Sequence, residues 1–280
     1  MRHSVGDVQR ALSGRYQVER MLGQGGMASV YLAVDLAKSG PVAIKVLRPE
    51  LAATMGAERF HREVAILAKF SHPNILPLLD SGEAGRLLYF VMPYAQGDSL
   101  RALLKREGPL PVDQAVAIAR HVAAGIDYMH AQGVVHRDIK PENILFDGDR
   151  AMLCDFGVAR AVVVAAGDSI SSSGLILGTP AYMSPEQASG RGDLDGRSDI
   201  YAFACVIYEM LAGEPPFTGR TQQAVMAKHV KERPPSVRVV RAEVPIQIDR
   251  DLLSCLSKDP AQRPARAKDI GATLAPKNSR

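Results

Sequence analysis

The sequence predicts an α+β fold made of a small sheet-rich lobe followed by a larger helical lobe. Short β-rich runs fill the first part of the chain, one helical pattern interrupts them, and helical patterns dominate after about residue 96. The runs are YQVERML (16–22), SVYLAV (29–34), PVAIKVL (41–47), ILPLLDS (75–81) and LLYFVM (87–92). Each is short, alternating or apolar, and bounded by turn residues, as strands require. In the helical interruption, GAERFHREVAILAKF (56–70), Phe60, Val64, Leu67 and Ala68 share one face and Glu63 lies close to it. YAQGDS (94–99) is a glycine-containing joint. Beyond it lie helical patterns at 113–133, 199–213 and 222–230. With two lobes of different character, the crevice between them is the expected ligand site.

Composition excludes several classes. With 46% hydrophobic and 23% charged residues over 280 positions, the chain can bury a large core or two smaller ones, and it is neither disordered nor fibrous. The net charge of +4 and pI near 9.0 suit an anionic ligand. The basic residues are nevertheless spread along the chain and Trp is absent, so nucleic-acid binding is not expected. Cys154, Cys205 and Cys255 are odd in number and form no CxxC pair, which argues against a disulfide framework or structural zinc and for a reducing cytosol. The first residues lack the apolar core of a signal peptide, and apolar runs such as AVVVAA (161–166) are far short of a bilayer span. The expectation is a soluble, cytoplasmic chain, including the case of a cytoplasmic catalytic portion of a longer membrane-anchored protein.

Three stretches carry chemistry. LGQGGMASV (22–30) joins two predicted strands, and Gly23, Gly25 and Gly26 let backbone approach a bulky anion; alone, such glycines are more often a simple hairpin turn. The strand on both sides excludes a dinucleotide-binding unit, which needs a helix after its glycines. In VAIK (42–45), Lys45 ends an apolar strand and needs an anion if it is desolvated, a need that Glu63 on the next helix can meet. In VVHRDIKPENILF (134–146), His136, Arg137, Asp138, Lys140, Glu142 and Asn143 stand between apolar runs. A turn needs only one or two polar residues, so this density of charge calls for a reason.

LGQGGMASV, VAIK, Glu63 in FHREV, HRDIKPEN, DFG (155–157) and SPE (184–186) occur in the order and approximate spacing of the eukaryotic-like protein kinases, a signature set that serves as a standing template for this chemistry. The resemblance covers residues 16–275 and, from the wording around GQGGMASV, SPEQ and DIYAFACVIYEML, is to the bacterial serine/threonine type. It implies a bilobal kinase fold with an antiparallel-sheet N-lobe (16–95) and a mostly helical C-lobe (96–275), a leader at 1–15 and a tail at 276–280. It also implies ATP with Mg2+, or Mn2+ in its place, and transfer of the γ-phosphoryl group to protein Ser/Thr hydroxyls.

By the same resemblance Asp138 orients the acceptor hydroxyl and takes its proton, Lys140 steadies the γ-phosphoryl group, and Asn143 and Asp155 hold the metal. Lys45, positioned by Glu63, meets the phosphates under the loop Leu22, Gly23, Gln24, Gly25, Gly26. Leu22, Val30, Ala43 and Leu145 enclose adenine with Met92 behind it, Pro93, Tyr94 and Ala95 form the hinge, and Asp98 or Ser99 reaches the ribose. His136 is structural. Arg137 is a cation suited to a phosphorylated serine of the activation segment, with Ser171 and Ser173 favoured over Ser169 and Ser172. Thr179 is expected to bond to the Asp138 and Lys140 region, and Glu186 to pair with Arg263. Protein substrates are implied, and pairing of two copies through the N-lobe is expected during activation. Two positions depart from the family pattern: Ala28 replaces the third loop glycine, which would stiffen the loop, and Ala204 replaces a helix glycine. All four of Lys45, Asp138, Asn143 and Asp155 are present, against a pseudokinase, and GTPAYMSPE provides a peptide platform that small-molecule kinases lack.

Overall fold

A computed structural model describes residues 3–55, 57–155 and 179–272, which divide into a first compact unit up to Gln96 and a second from Gly97 onward. The first unit contains α1 (Val5–Leu12), β1 (Tyr16–Gln24), β2 (Ala28–Asp35), β3 (Gly40–Leu47), α2 (Pro49–Met55), α3 (Ala57–Leu67), β4 (Asp80–Ala84) and β5 (Leu87–Pro93). Its strands form one antiparallel sheet in the order β1-β2-β3-β5-β4. Alternation explains the two faces: Tyr31, Ala33, Val42, Ile44, Val46, Tyr89 and Val91 point to a buried cluster that Val8 and Leu12 of α1 complete. Helix α1 forms within the expected leader because Ser4 and Asp7 make a reciprocal capping box and Val8 and Leu12 lie one turn apart.

Two readings of this unit need correction. The run 75–81 is not a strand over most of its length, since β4 begins only at Asp80. Ile75 and Leu76 are both buried although adjacent, Ile75 N–H turns back to the His72 carbonyl, and Pro77 offers no ladder donor. The helix predicted over 56–70 is described as Ala57–Leu67, with Phe60, Val64 and Leu67 buried; Ala68 is exposed and Phe70 takes the buried place beyond the helix end.

The second unit contains α4 (Leu100–Glu107), α5 (Val112–Ala131), the hairpin β6 (Ile144–Asp147) and β7 (Arg150–Leu153), α6 (Pro185–Ala188), α7 (Gly196–Ala212), α8 (Gln222–Lys231), α9 (Ile246–Cys255) and α10 (Lys268–Ala272). Helix α7 is its axis. Every residue from Ser198 to Leu211 is buried, the pattern of a helix surrounded by protein, and the helix stops at Gly213, whose φ of 88° is left-handed. Gly97 lies so close to the Phe146 carbonyl that a Cβ there would collide with backbone. No helix among the described residues is long and apolar enough to cross a membrane.

A buried ion pair ties α6 to the rest of this unit. Arg263 donates Nη1 and Nη2 to Glu186 Oε1 and Oε2 at 2.7 and 2.8 Å, Ser198 Oγ donates to Oε1 at 2.6 Å, and Arg263 also donates to the carbonyls of Ser257 and Arg197. Burial alone would raise the Glu186 pKa, but the hydrogen bonds from Arg263 and Ser198 outweigh it and bring it down to about 2. Removing one partner leaves the other charge buried, so Glu186→Ala is expected to cost about 3–5 kcal/mol, read as a lower urea midpoint. Because the folded pKa lies below the ordinary 4.5, this contribution is complete above the unfolded value and fades as pH falls through 4.5 toward about 2. Stability of Glu186→Gln should therefore depend less on pH across that window, and an equal slope in both proteins contradicts the assignment.

Candidate active site

In the first unit the glycine segment closes the β1–β2 hairpin. Gly25 N–H donates to the Ala28 carbonyl at 2.9 Å, and Arg48 holds the turn by donating Nη2 to Gly25 O at 2.7 Å. A Cβ at Gly23 or Gly26 would meet nothing within 4 Å, one at Gly25 only Ala28 O at 3.7 Å, and none of the three has a positive φ. Neither backbone conformation nor packing within the described residues demands glycine here. Leu22 is half-buried, while Gly23, Gln24, Gly25 and Gly26 are exposed.

Lys45 lies opposite Val30 of β2 and Phe90 of β5, and Ala43 lies opposite Met92. Period-two alternation places Val30, Ala43, Lys45 and Met92 on the sheet face away from the cluster that α1 covers. Glu63 is half-buried on α3, whose Phe60 ring lies 4.9 Å from that of Phe90. Pro93 ends β5, and Tyr94 and Ala95 follow it, half-buried.

The charged stretch 134–146 belongs to the second unit, where it forms a loop and a 3₁₀ turn (Pro141–Asn143) ahead of β6; the leading valines make no strand. Asp199, fully buried in the first turn of α7, accepts from His136 N–H at 2.8 Å and Arg137 N–H at 2.7 Å, and its Oδ2 is 2.8 Å from His130 Nε2. These bonds hold Arg137 at a φ of 66°, and Gln187 Nε2 fixes its carbonyl at 3.0 Å. His136 Nδ1 accepts from Asp138 N–H, so Nε2 carries the proton and donates to the Cys154 carbonyl at 3.1 Å. Burial lowers the His136 pKa, keeping the ring neutral and structural.

Asp138 Oδ2 accepts from Lys140 Nζ at 2.7 Å and from Asn143 Nδ2 at 3.1 Å, and Asn143 Nδ2 also reaches the Asp138 carbonyl at 2.8 Å. Asn143 is buried, and its backbone carbonyl accepts from Cys154 N–H at 3.0 Å, which sets Asp155 next in chain at a φ of 69°. Two roles are thereby brought together: a carboxylate fixed by an ammonium and an amide, and a second carboxylate tied to that amide's own backbone. The amide oxygen of Asn143 accepts no hydrogen bond among the described residues, which suits a hard cation held by two protein oxygens together with phosphate. No group of three or more His, Cys, Asp or Glu side chains suited to a protein-only metal cage occurs among the described residues.

Other expected residues fall out differently. Leu145 bridges to Ser99, but Ser99 caps α4 through Ala102 N–H and Asp98 pairs with Arg106 at 2.5 Å. Thr179 is exposed, and its expected side-chain bond to Asp138 or Lys140 is not among the hydrogen bonds of the described residues. Ser171 and Ser173, with Ser169, Ser172, Phe156 and Gly157, lie outside the described residues. Sequence reasoning missed Asp199, Gln187 and the Arg101 node. Arg101 donates Nε to Glu142 at 2.8 Å and Nη1 to Glu209 at 2.6 Å, and bonds to Tyr182, whose hydroxyl donates to Glu209 at 2.5 Å.

The family model described as protein kinase domain matches residues 16–273. Over 272 residues the chain is 40% identical to the serine/threonine-protein kinase PknB of Mycobacterium leprae, covering 94% of this chain and 43% of that protein. It is 39% identical to the serine/threonine-protein kinase pkn2 of Myxococcus xanthus (96% and 33% covered) and 37% identical to the serine/threonine-protein kinase PrkC of Bacillus subtilis (95% and 41%). The chain thus spans less than half the length of these relatives. The crystal structure of Rad53 1-466 in complex with AMP-PNP superposes with a TM-score of 0.77 over 93% of this chain and 65% of that one, at 24% identity, a likeness of fold.

The bonds to Asp199 give a measurable outcome. Asp199→Ala strands the buried His136 N–H and the partly buried Arg137 N–H, each costing up to about 1–3 kcal/mol, so a loss of roughly 2–5 kcal/mol is expected in denaturant unfolding. Hydrogen exchange at the Arg137 amide should accelerate together with it, and unchanged protection there contradicts the role.

Proposed function

Because the chain belongs to the protein kinase domain family and is of the bacterial serine/threonine type, we propose that it transfers the γ-phosphoryl group of ATP to serine and threonine hydroxyls of proteins. The observation that carries this reading is the Asp138–Lys140–Asn143 cluster, in which Lys140 and Asn143 both bond to one Asp138 oxygen. Phosphoryl transfer asks the protein mainly to place the attacking and leaving oxygens in line and to neutralise phosphate charge. Asp138, held in one orientation, accepts a hydrogen bond from the acceptor hydroxyl and takes its proton as the new P–O bond forms and the bond to the β-phosphate bridging oxygen breaks. Lys140, anchored on the same carboxylate, donates to the transferring group. Lys45 meets the phosphates, oriented by Glu63, while the glycine turn admits them without side chains in the way. Ala43, Val30, Leu22, Met92 and Leu145 supply the apolar surface for adenine, with Pro93 and Ala95 carbonyls and the Ala95 N–H at the hinge.

Asn143 and Asp155 are the residues that would hold Mg2+, or Mn2+, and when bound the ion supplies neutralising charge to the phosphates. Arg137, next to Asp138, receives a phosphorylated serine, Ser171 or Ser173, made by autophosphorylation. Pairing of two copies through the sheet unit belongs to the same reading, and that unit leaves Leu36, Ile66 and Leu79 exposed as large apolar side chains. The setting that fits this reading is the cytoplasm.

Asp138→Asn is expected to lower kcat by about 10²–10⁴ in transfer of labelled phosphate to protein acceptors, with ATP affinity preserved. A merely twofold loss contradicts the general-base role. Mass spectrometry after incubation with ATP and magnesium should show phosphoserine or phosphothreonine on the chain, and transfer to an aminoglycoside hydroxyl in preference to a peptide hydroxyl rejects the protein-kinase reading.

A further inference from the structure

Below the Glu186–Arg263 pair the second unit contains a cavity of about 390 Å³, lined by α6, the turn after it, the end of α8 and Lys258–Pro260. The cavity is separate from the Asp138 cluster in its lining residues, and its charges are unequal in commitment. The Glu186 carboxylate in its wall is consumed by Arg263 and Ser198, and Asp259 is turned to its own chain, accepting from Ala261 N–H at 3.0 Å. The cations are not so committed. Lys258 Nζ lies 4.3 Å from the Phe217 ring centroid and 5.6 Å from that of Tyr201, and bonds to the Tyr201 hydroxyl at 3.3 Å, with no carboxylate partner among the described residues. Arg191, exposed, is positioned by its backbone N–H on the Glu186 carbonyl at 3.0 Å, and its guanidinium has no ion-pair partner among the described residues. Burial, aided by nearby Arg263, lowers the Lys258 pKa to about 8 against the opposing pull of Cys205 and Glu232. Ser189 at the rim can accept or donate beside them, its Oγ now donating to the Pro185 carbonyl at 2.7 Å.

We infer that this cavity is a phosphomonoester subsite, in which Lys258 and Arg191 together hold the phosphate of a phosphoserine or phosphothreonine on a protein acceptor. The ring contacts and one hydroxyl bond attract the half-buried ammonium but leave its charge unneutralised, and a phosphate brings about −1.5 to −2 charges and several acceptor oxygens to two cations. The volume lies at the low end of the range for small-ligand pockets and has room for a phosphorylated side chain. The peptide source follows from place: the lining starts at Pro185, directly after Thr179–Ser184, the stretch expected to carry the acceptor chain. That step rests on the proposed kinase activity, whose product is itself a phosphoserine or phosphothreonine. The consequence is a preference for acceptors already phosphorylated once, and hence multi-site phosphorylation.

The binding claim is tested without catalysis. The purified chain is treated with limiting acetic anhydride and the acetylation of each lysine followed by mass spectrometry, alone or with a capped Gly-phosphoSer-Gly peptide, its unphosphorylated form, or inorganic phosphate. Selective protection of Lys258 by the phosphopeptide supports the subsite. No protection overturns it, and equal protection by inorganic phosphate at the same concentration overturns the peptide assignment. Arg191→Gln, a surface change that leaves the Lys258 packing intact, should raise the KM of a once-phosphorylated acceptor about tenfold, the worth of one charge-assisted hydrogen bond, with kcat and the KM of the unphosphorylated acceptor unchanged. An equal rise for both acceptors overturns the preference. Inactivity toward every acceptor alongside intact Lys258 protection refutes the kinase reading and leaves the anion site standing.

Discussion

The loop that carries Asp138 has its shape because one carboxylate, Asp199, is buried beneath it. A buried anion needs several donors, and Asp199 finds them in the consecutive N–H groups of His136 and Arg137 and in the His130 ring. Two N–H groups in succession can point at one carboxylate only if the chain turns sharply, which is what the left-handed Arg137 provides. The cost of that conformation, about 1–3 kcal/mol for a residue with a side chain, is offset by the bonds it permits. The Asp199 position in the first turn of α7 places the negative charge at the positive end of a helix dipole as well. Once the turn is set, Asp138 follows directly and its carboxylate meets Lys140 and Asn143.

A second group of buried charges locates the chain after Thr179. Glu186 cannot leave α6 without stranding Arg263, and Tyr182 cannot leave its place without breaking the Arg101–Glu209 node. Replacing such pairs by apolar residues often leaves stability unchanged, so their value lies in specifying position more than in strength. Glu142, in the same stretch as Asp138, is held by the same Arg101 that contacts Tyr182. The Asp138 loop and the expected acceptor platform are thus fixed to one frame, α4 with α7, within the second unit.

Legibility in the sequence followed the range of the interactions. Strands β1, β2, β3 and β5 could be read to within a few residues because a one-sided sheet imposes local alternation. The run at 75–79 misled because two adjacent buried side chains imitate a strand when the chain only dips into the core. Helices α1 and α4 carry capping serines, Ser4 and Ser99, that could have marked their starts, but their short apolar faces are weak signals beside the stronger runs near them. Within the site, Asp138, Lys140, Asn143 and Asp155 were legible through the resemblance carried by HRDIKPEN and DFG, and the structure brings the first three into one hydrogen-bonded cluster, with Cys154, next to Asp155, bonded to the Asn143 backbone. Asp199, Arg101, Tyr182 and Glu209 act on partners 27 to 108 positions away, and an acid in the first turn of a helix reads as an ordinary dipole partner.

The two departures from the family pattern show how structure limits what a substitution can mean. Ala204 is fully buried in α7, where a methyl group fills space and touches no charged group of the site, so the change is one of packing. Ala28, expected to stiffen the glycine turn, is the first residue of β2, buried and paired with Leu47, and its carbonyl closes the turn by accepting from Gly25 N–H. The exposed glycines that remain, Gly23, Gly25 and Gly26, occupy conformations open to other residues and, among the described residues, have room for a Cβ. A position that neither sterics nor backbone strain reserves for glycine, repeated three times in one turn, is best explained by something that must come closer to the backbone than a side chain allows, and a triphosphate meets that description. The glycines that were weakest as a sequence signal thus fit the proposed nucleotide site, since the described residues give no other reason for them.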